Sequence, residues 1–135
     1  MRPIKFRAWY GNAMWKVLDI HWSKIKEGKI ASIAIAHTEL APTVRVSFDD
    51  VQLMQFTGLL DKNGKEIYEG DICRDSEGKL LVIRWDEHNV AFVAGSKWLE
   101  WLRGYGNSGN PSYARACEVI GNIYSNPELE KPDAV

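Results

Sequence analysis

The sequence predicts a mainly β protein, with antiparallel sheets built from short strands. Two observations carry this expectation. Apolar residues alternate with polar or basic ones in short runs, the period-2 pattern of a strand with one buried face. Gly, Asn, Asp and Ser then break the runs at close, regular intervals, as in sandwiches and barrels. A partial barrel is one way the second half could be arranged, and one or two short helical turns complete the expected set.

Ile4-Lys5-Phe6-Arg7-Ala8-Trp9 alternates apolar with basic residues, so Ile4, Phe6 and Ala8 are expected to face in and Lys5 and Arg7 out. Tyr10-Gly11-Asn12 is a turn, and Met14 to Trp22 returns as a less cleanly alternating strand, pairing with the first as a hairpin. Lys26-Glu27-Gly28-Lys29 turns the chain into Ile30–Ala36, where three isoleucines favour strand over helix despite the alanines. His37 to Pro42 reads as a loop. Val44, Val46 and Phe48 form another alternating run, and Asp49-Asp50 are placed to cap a helical turn through Val51-Gln52-Leu53-Met54.

Two strong turn signals sit in the middle of the chain. Asp61-Lys62-Asn63-Gly64 suits a tight hairpin, because Asn-Gly tolerates positive φ at both positions. Glu69-Gly70-Asp71 redirects the chain into a new strand at Ile72. Beyond the turn Asp75-Ser76-Glu77-Gly78, the run Leu80–Trp85 is apolar enough to be buried on both faces. Asp86-Glu87-His88-Asn89 then turns into Val90–Val93. Trp98–Leu102 fits either a helical or an alternating reading. Gly104–Tyr113 is a Gly/Ser/Asn loop, Cys117–Tyr124 a closing strand, and the tail from Ser125 is expected to fray. No internal repeat stands out.

With 135 residues, 45% of them hydrophobic, the chain is sized for one folded domain. Two β subdomains meeting near residues 57–70 would also fit. The net charge of −1 points to neither nucleic acid nor membrane. Residues 1–29, however, hold seven basic side chains against two acidic, a balance of +5 that leaves −6 for the remainder. Such a split marks either a nucleic-acid face or two surfaces that attract each other. Cys73 and Cys117 are far apart and form no C-x-x-C, which disfavours a disulfide framework or a structural zinc site. No signal peptide and no long apolar run are visible, so a soluble, cytoplasmic protein with no membrane partner is expected.

Candidate sites are sparse. Lys5, Arg7 and Trp9 on the first strand, with Trp15, Lys16 and Trp22 on the second, would make a basic aromatic face that contacts phosphates and stacks unpaired bases. The carboxylates Glu66, Glu69 and Asp71, and the group Asp86, Glu87 and His88, could hold a metal or divide acid and base roles. Both groups fall on turns, where backbone geometry already accounts for Asp and Gly. His21, His37 and His88 are scattered. The glycines between 104 and 110 lack the Lys-Ser/Thr ending of a phosphate loop. Neither catalytic residues nor a cofactor or metal is assigned.

The opening Ile4–Trp9, the block Leu53–Leu59, the run Asp61–Ile72 and the closing Glu118–Tyr124 together resemble the YopX family of small phage and prophage proteins. These segments come in the family's order and span nearly the whole chain. The resemblance implies a phage or prophage origin in a bacterial host, and self-assembly. It implies no biochemical activity, and no catalytic residue carries over from it. Three functional expectations follow, in order of preference. The first is a non-catalytic, self-associating binding protein, a homo-oligomer that also engages a host or phage protein. The second is a single-stranded nucleic-acid binder using the N-terminal hairpin. The third is a metal-assisted enzyme at Asp71 or at Asp86–His88.

Overall fold

The computed structural model describes residues 4–22, 31–38, 40–75, 77–88, 90–94, 97–98, 113–114 and 117–130. The chain forms two compact units, Lys5–Gln55 and Met1–Ile4 with Phe56–Val135, called here the N-terminal and C-terminal units. Nearly all regular structure is strand, as the alternating pattern predicts. The turn at Lys26–Lys29, the segment 99–102 and most of the loop 104–113 lie outside the described residues.

In the N-terminal unit, β1 (Phe6–Tyr10), β2 (Ala13–Trp22), β3 (Ala31–Ala36), β4 (Val44–Ser47) and the first half of β5 (Gln52–Asp61) form an antiparallel array. Their order is β5-β1-β2-β3-β4. The β1–β2 hairpin closes through Gly11 and Asn12, with φ of 56° and 61°. Positive φ at both central residues is the turn geometry whose twist matches paired strands, and Tyr10 sits opposite Ala13. One face of the array carries the core: Ala8, Ile33, Ile35, Val46 and Val51, with Tyr10, Trp15, Val17, Ile20 and Leu53 packed against them. Ala8 lies inward as expected, whereas Ile4 is exposed.

The imperfect alternation of β2 has a structural cause. Val17 pairs with Ile35 but Asp19 with Ala34, so Leu18 is an extra residue in a β-bulge. A bulge shifts the side-chain phase by one. Val17 and Ile20 therefore both reach the core while Leu18 stays exposed.

The helical turn expected at Val51–Met54 is not there. A single 3₁₀ turn occupies Phe48–Asp50 instead, capped by Ser47, whose hydroxyl accepts the Asp49 amide, and Val51 is already extended at φ −124° and ψ 157°. The two aspartates form the turn rather than precede it. Pairing with β1, which sets Leu53 opposite Ala8 and Gln55 opposite Phe6, demands extended backbone and overrides the local capping signal.

In the C-terminal unit, the second half of β5 pairs antiparallel with β6 (Glu66–Tyr68) and parallel with β11 (Tyr113–Ala114). The strands β7 (Asp71–Arg74), β8 (Leu80–Asp86), β9 (Ala91–Ala94), β10 (Lys97–Trp98) and β12 (Glu118–Asn122) form a second sheet in the order β10-β9-β8-β7-β12. The described strands form an open order and no closed barrel. The core combines Leu59, Ile67, Cys73, Leu81, Ile83, Ala94, Cys117 and Val119, with Phe92 against them. On β8 only Leu81 and Ile83 are fully buried, and Arg84 and Trp85 are exposed. Burial on both faces, expected for this strand, does not occur, because an open antiparallel sheet leaves one face wetter.

The tail does not fray at Ser125. Pro127–Glu130 make a 3₁₀ turn, and Asn126 clasps β12 in both directions. Its amide donates to the Asn122 carbonyl at 2.9 Å, and its side-chain oxygen accepts the Asn122 amide at 3.2 Å. A Cβ at Gly121 would run into the Asn126 side chain, so glycine is required for this approach.

Val90, 71% exposed, has φ of 50° at the end of the β8–β9 turn, just before the Asp86–Ala91 pair. A β-branched residue is strained in this region. Val90→Gly is expected to stabilise the fold by about 1 kcal/mol, read as a higher midpoint in thermal unfolding. Gly121→Ala should act in the opposite direction by displacing Asn126.

Candidate functional site

The central turn Asp61-Lys62-Asn63-Gly64 closes by side-chain chemistry. Gly64, at φ 85°, donates its amide to the Asp61 carbonyl at 3.0 Å, and the Asp61 amide donates to the Lys65 carbonyl at 2.7 Å. Asp61 Oδ1 accepts the amides of Asn63 at 2.8 Å and Lys65 at 2.9 Å. Positive φ occurs at Gly64 and not at Asn63, so this is a three-residue hairpin loop ending in glycine. The doubly left-handed turn suggested by Asn-Gly is replaced. The aspartate before it supplies two acceptor bonds that hold Asn63 right-handed.

The same four bonds recur at Asp75. Its Oδ1 accepts Glu77 at 2.9 Å and Lys79 at 2.8 Å. The Gly78 amide donates to the Asp75 carbonyl at 3.0 Å, and the Asp75 amide to the Lys79 carbonyl at 2.9 Å. Asp61–Lys65 and Asp75–Lys79 therefore share one spacing, Asp-x-x-Gly-Lys, a repeat five residues long.

Their surroundings separate the two. Asp61 is 1% exposed, and its second oxygen accepts the Val119 amide on β12 at 2.9 Å. The next residue, Lys62, donates its amide to the Cys117 carbonyl at 2.9 Å. One carboxylate thus closes a turn and also fixes the start of the last strand. Asp71, equally buried, accepts the Tyr68 amide at 2.7 Å and stabilises the bend at Gly70, where φ is 87°. Gly70 is bonded on both sides, its amide to the Ile83 carbonyl and its carbonyl to the Ile123 amide. Of the acidic residues considered for catalysis, Asp71 is held in backbone bonding. Asp86 likewise accepts the His88 amide at 2.9 Å. Among the described residues no three His, Cys, Asp or Glu side chains converge in a way that could hold a metal ion.

Cys73 and Cys117, distant in sequence, meet in this core as free, buried thiols. The Cys73 thiol is pushed far above its ordinary value. A hydrogen bond with Cys117 is the largest cause, followed by burial and by the charges of Cys117, Asp71 and Asp61. A thiol so placed stays protonated and is a poor nucleophile.

The proposed basic aromatic face divides. Arg7 lies directly opposite Lys16, and Trp9 opposite Met14. Cross-strand partners point to the same face, so Arg7, Trp9 and Lys16 share the face away from the core, with Lys5 in the same alternation. Lys16 is exposed, and Lys5, Arg7 and Trp9 are half-buried. Trp15 is on the other face. It packs against the N-terminal core, donates its indole N–H to the Tyr10 carbonyl at 2.9 Å and stacks on His37 with ring centroids 3.7 Å apart. Period-2 counting from Ala8 through the two-residue turn would have placed Trp15 inward. The Trp22 side chain lies outside the described residues. Elsewhere on the unit, Arg45 bridges Asp19 at 3.0 Å and donates to the Ser32 hydroxyl at 2.8 Å, an exposed contact that contributes little to stability.

These features define a small antiparallel β protein of two units, in which the buried polar groups serve the backbone. The chain belongs to the YopX protein family, whose model matches residues 5–130. It is also similar in fold to the crystal structure of protein EF1440 from Enterococcus faecalis. That likeness has a TM-score of 0.58 and 23% sequence identity, covering 96% of this chain and 99% of that one. The curated proteins give no match. Among the described residues no helix is long and apolar enough to cross a membrane.

The two matched turns give a direct comparison. Asp61→Ala is expected to cost about 3 kcal/mol, since it removes a buried charged acceptor from three amides, and Asp75→Ala about 1 kcal/mol. Chemical denaturation of the two variants reads the difference. The Cys73 shift also has a sign. A thiol raised in the folded state contributes stability that is fully present below the unfolded value of 9.0 and is progressively lost as pH rises above it. Unfolding free energy should therefore decline above about pH 9, and a Cys73→Ala variant should show a shallower decline.

Proposed function

We propose that this protein acts by binding, as a non-catalytic, self-associating chain, and that the β4 side of the N-terminal unit is the associating surface. One observation carries the reading. On the β4 side of the N-terminal array Val46 is buried, but Leu40 in the preceding turn is 98% exposed, and Val44 and Phe48 at the ends of the strand are 38% and 39% exposed. Among the described residues β4 pairs with β3 alone, and an outer strand with exposed apolar side chains is a template for another strand. The bonding of Asp61 and Asp71 to backbone amides favours the same reading, because it gives these carboxylates a structural task. The family resemblance noted from the sequence agrees with self-assembly and with a phage or prophage origin.

A second reading, single-stranded nucleic-acid binding, is favoured by the Arg7–Lys16 pair beside Trp9 on the face away from the core. Two cations next to an indole suit a phosphate with its neighbouring base.

Light scattering at micromolar concentration should give a mass that is a multiple of 15.4 kDa. Val44→Lys, which puts a charge on the outer strand, should return the chain to monomer with an unchanged far-UV spectrum. A native chain that stays at the monomer mass contradicts self-association. For the second reading, anisotropy of a fluorescent single-stranded oligonucleotide should rise on binding and fall steeply with salt, and Lys16→Glu should weaken it. Absence of binding at low salt removes that reading.

A further inference from the structure

We infer that two copies of this chain join by antiparallel pairing of β4 with β4 across a two-fold axis at Val46. This inference rests on the self-association proposed above and specifies its geometry. The occupant of the surface is a second copy, and the argument is one of faces and charges.

Val44 is registered with Ile35 and Val46 with Ile33. Ile33 and Ile35 belong to the core, so Val44 and Val46 point to the core face, while Arg45 and Ser47 point away from it. A strand added beside β4 must present the same alternation, because a slip of one residue would set apolar side chains opposite polar ones. A second copy of β4 meets this condition by symmetry. Directly opposed residues share a face, which leaves only two-fold registers centred on a residue.

Four such centres are available. Centring on Val44 would bring Pro42, which has no amide hydrogen to donate, opposite the partner's Val46. Centring on Arg45 would set the two guanidinium groups opposite each other, which is repulsive. Centring on Ser47 would require extended backbone through Phe48–Asp50, which is a 3₁₀ turn. Centring on Val46 sets Val46 against the partner's Val46, Arg45 against the partner's Ser47, and Val44 beside the partner's Phe48. The two exposed apolar side chains at the ends of β4 then cover one another. Asp49 and Asp50, which follow Phe48 and are exposed, come to the Arg45 end of the opposing strand, where their charge is complementary. The contact is isologous, so it closes at two copies along this edge and extends the sheet of one copy into that of the other.

Disulfide trapping with separately made Arg45→Cys and Ser47→Cys chains tests the register. Both positions are on the polar face, and the native Cys73 and Cys117 are buried. Circular dichroism first confirms that each variant is folded. After mild oxidation, an equal mixture of the two variants should yield a covalent dimer joining one chain of each kind, and neither variant alone should yield more than trace dimer. Dimer from Arg45→Cys alone would place the axis on Arg45, and dimer from Ser47→Cys alone would place it on Ser47. Either result overturns the Val46 register. No trapped dimer from any combination, with the native chain still dimeric by light scattering, overturns β4 pairing and leaves self-association standing. A monomeric native chain defeats the underlying reading itself.

Discussion

The C-terminal unit depends on the Asp61 carboxylate. Removing a carboxylate from water is expensive unless its oxygens are hydrogen-bonded. Asp61 meets that cost with backbone amides. Two come from its own turn, and the third is at Val119, so a local turn and a distant strand share one acceptor. The adjoining bond from Lys62 to Cys117 secures the same junction. This is where β12 begins, and β12 in turn pairs with β7 and receives the Asn126 clasp. The Cys73–Cys117 thiol pair fills the core beside it. Carboxylates and thiols that together could suggest chemistry are thus committed to holding the unit together.

Much of the architecture was legible in the sequence because antiparallel strands advertise themselves locally. The β1–β2 hairpin, β3, β4 and β7 to β9 each carry alternation or a turn signal, and the turns fall where Gly, Asn and Asp predict. The errors arose where a non-local term prevailed. Asp49-Asp50 reads as a helix cap, yet β1 pairs with Gln52 to Gln55 and draws them into a long strand. Asn63-Gly64 reads as a doubly left-handed turn, yet Asp61 imposes another geometry. Leu18 breaks the pattern of β2 because a bulge is a property of two strands, and one strand's sequence does not reveal it.

The candidate site was legible only in part. Charge counting finds Arg7 and Lys16, and pairing places them together. Residue type alone also selected Trp15, whose core position follows once the Gly11-Asn12 turn is taken as two residues long. The exposure of β4 was not evident in advance, since Val44-Arg45-Val46-Ser47 alternates like any half-buried strand. Which strand lies outermost depends on the order of the sheet, and that order is set by contacts distant in the chain.

The self-association proposed for this chain places the outer strand β4 beside a second copy. Hydrogen exchange followed at several protein concentrations tests that claim most directly. If β4 pairs between copies, amides within Val44–Ser47 gain protection as concentration rises through the association range, while amides of the β7–β8 pairing remain unchanged. Protection in β4 that is independent of concentration, in a chain that associates over the same range, would contradict it.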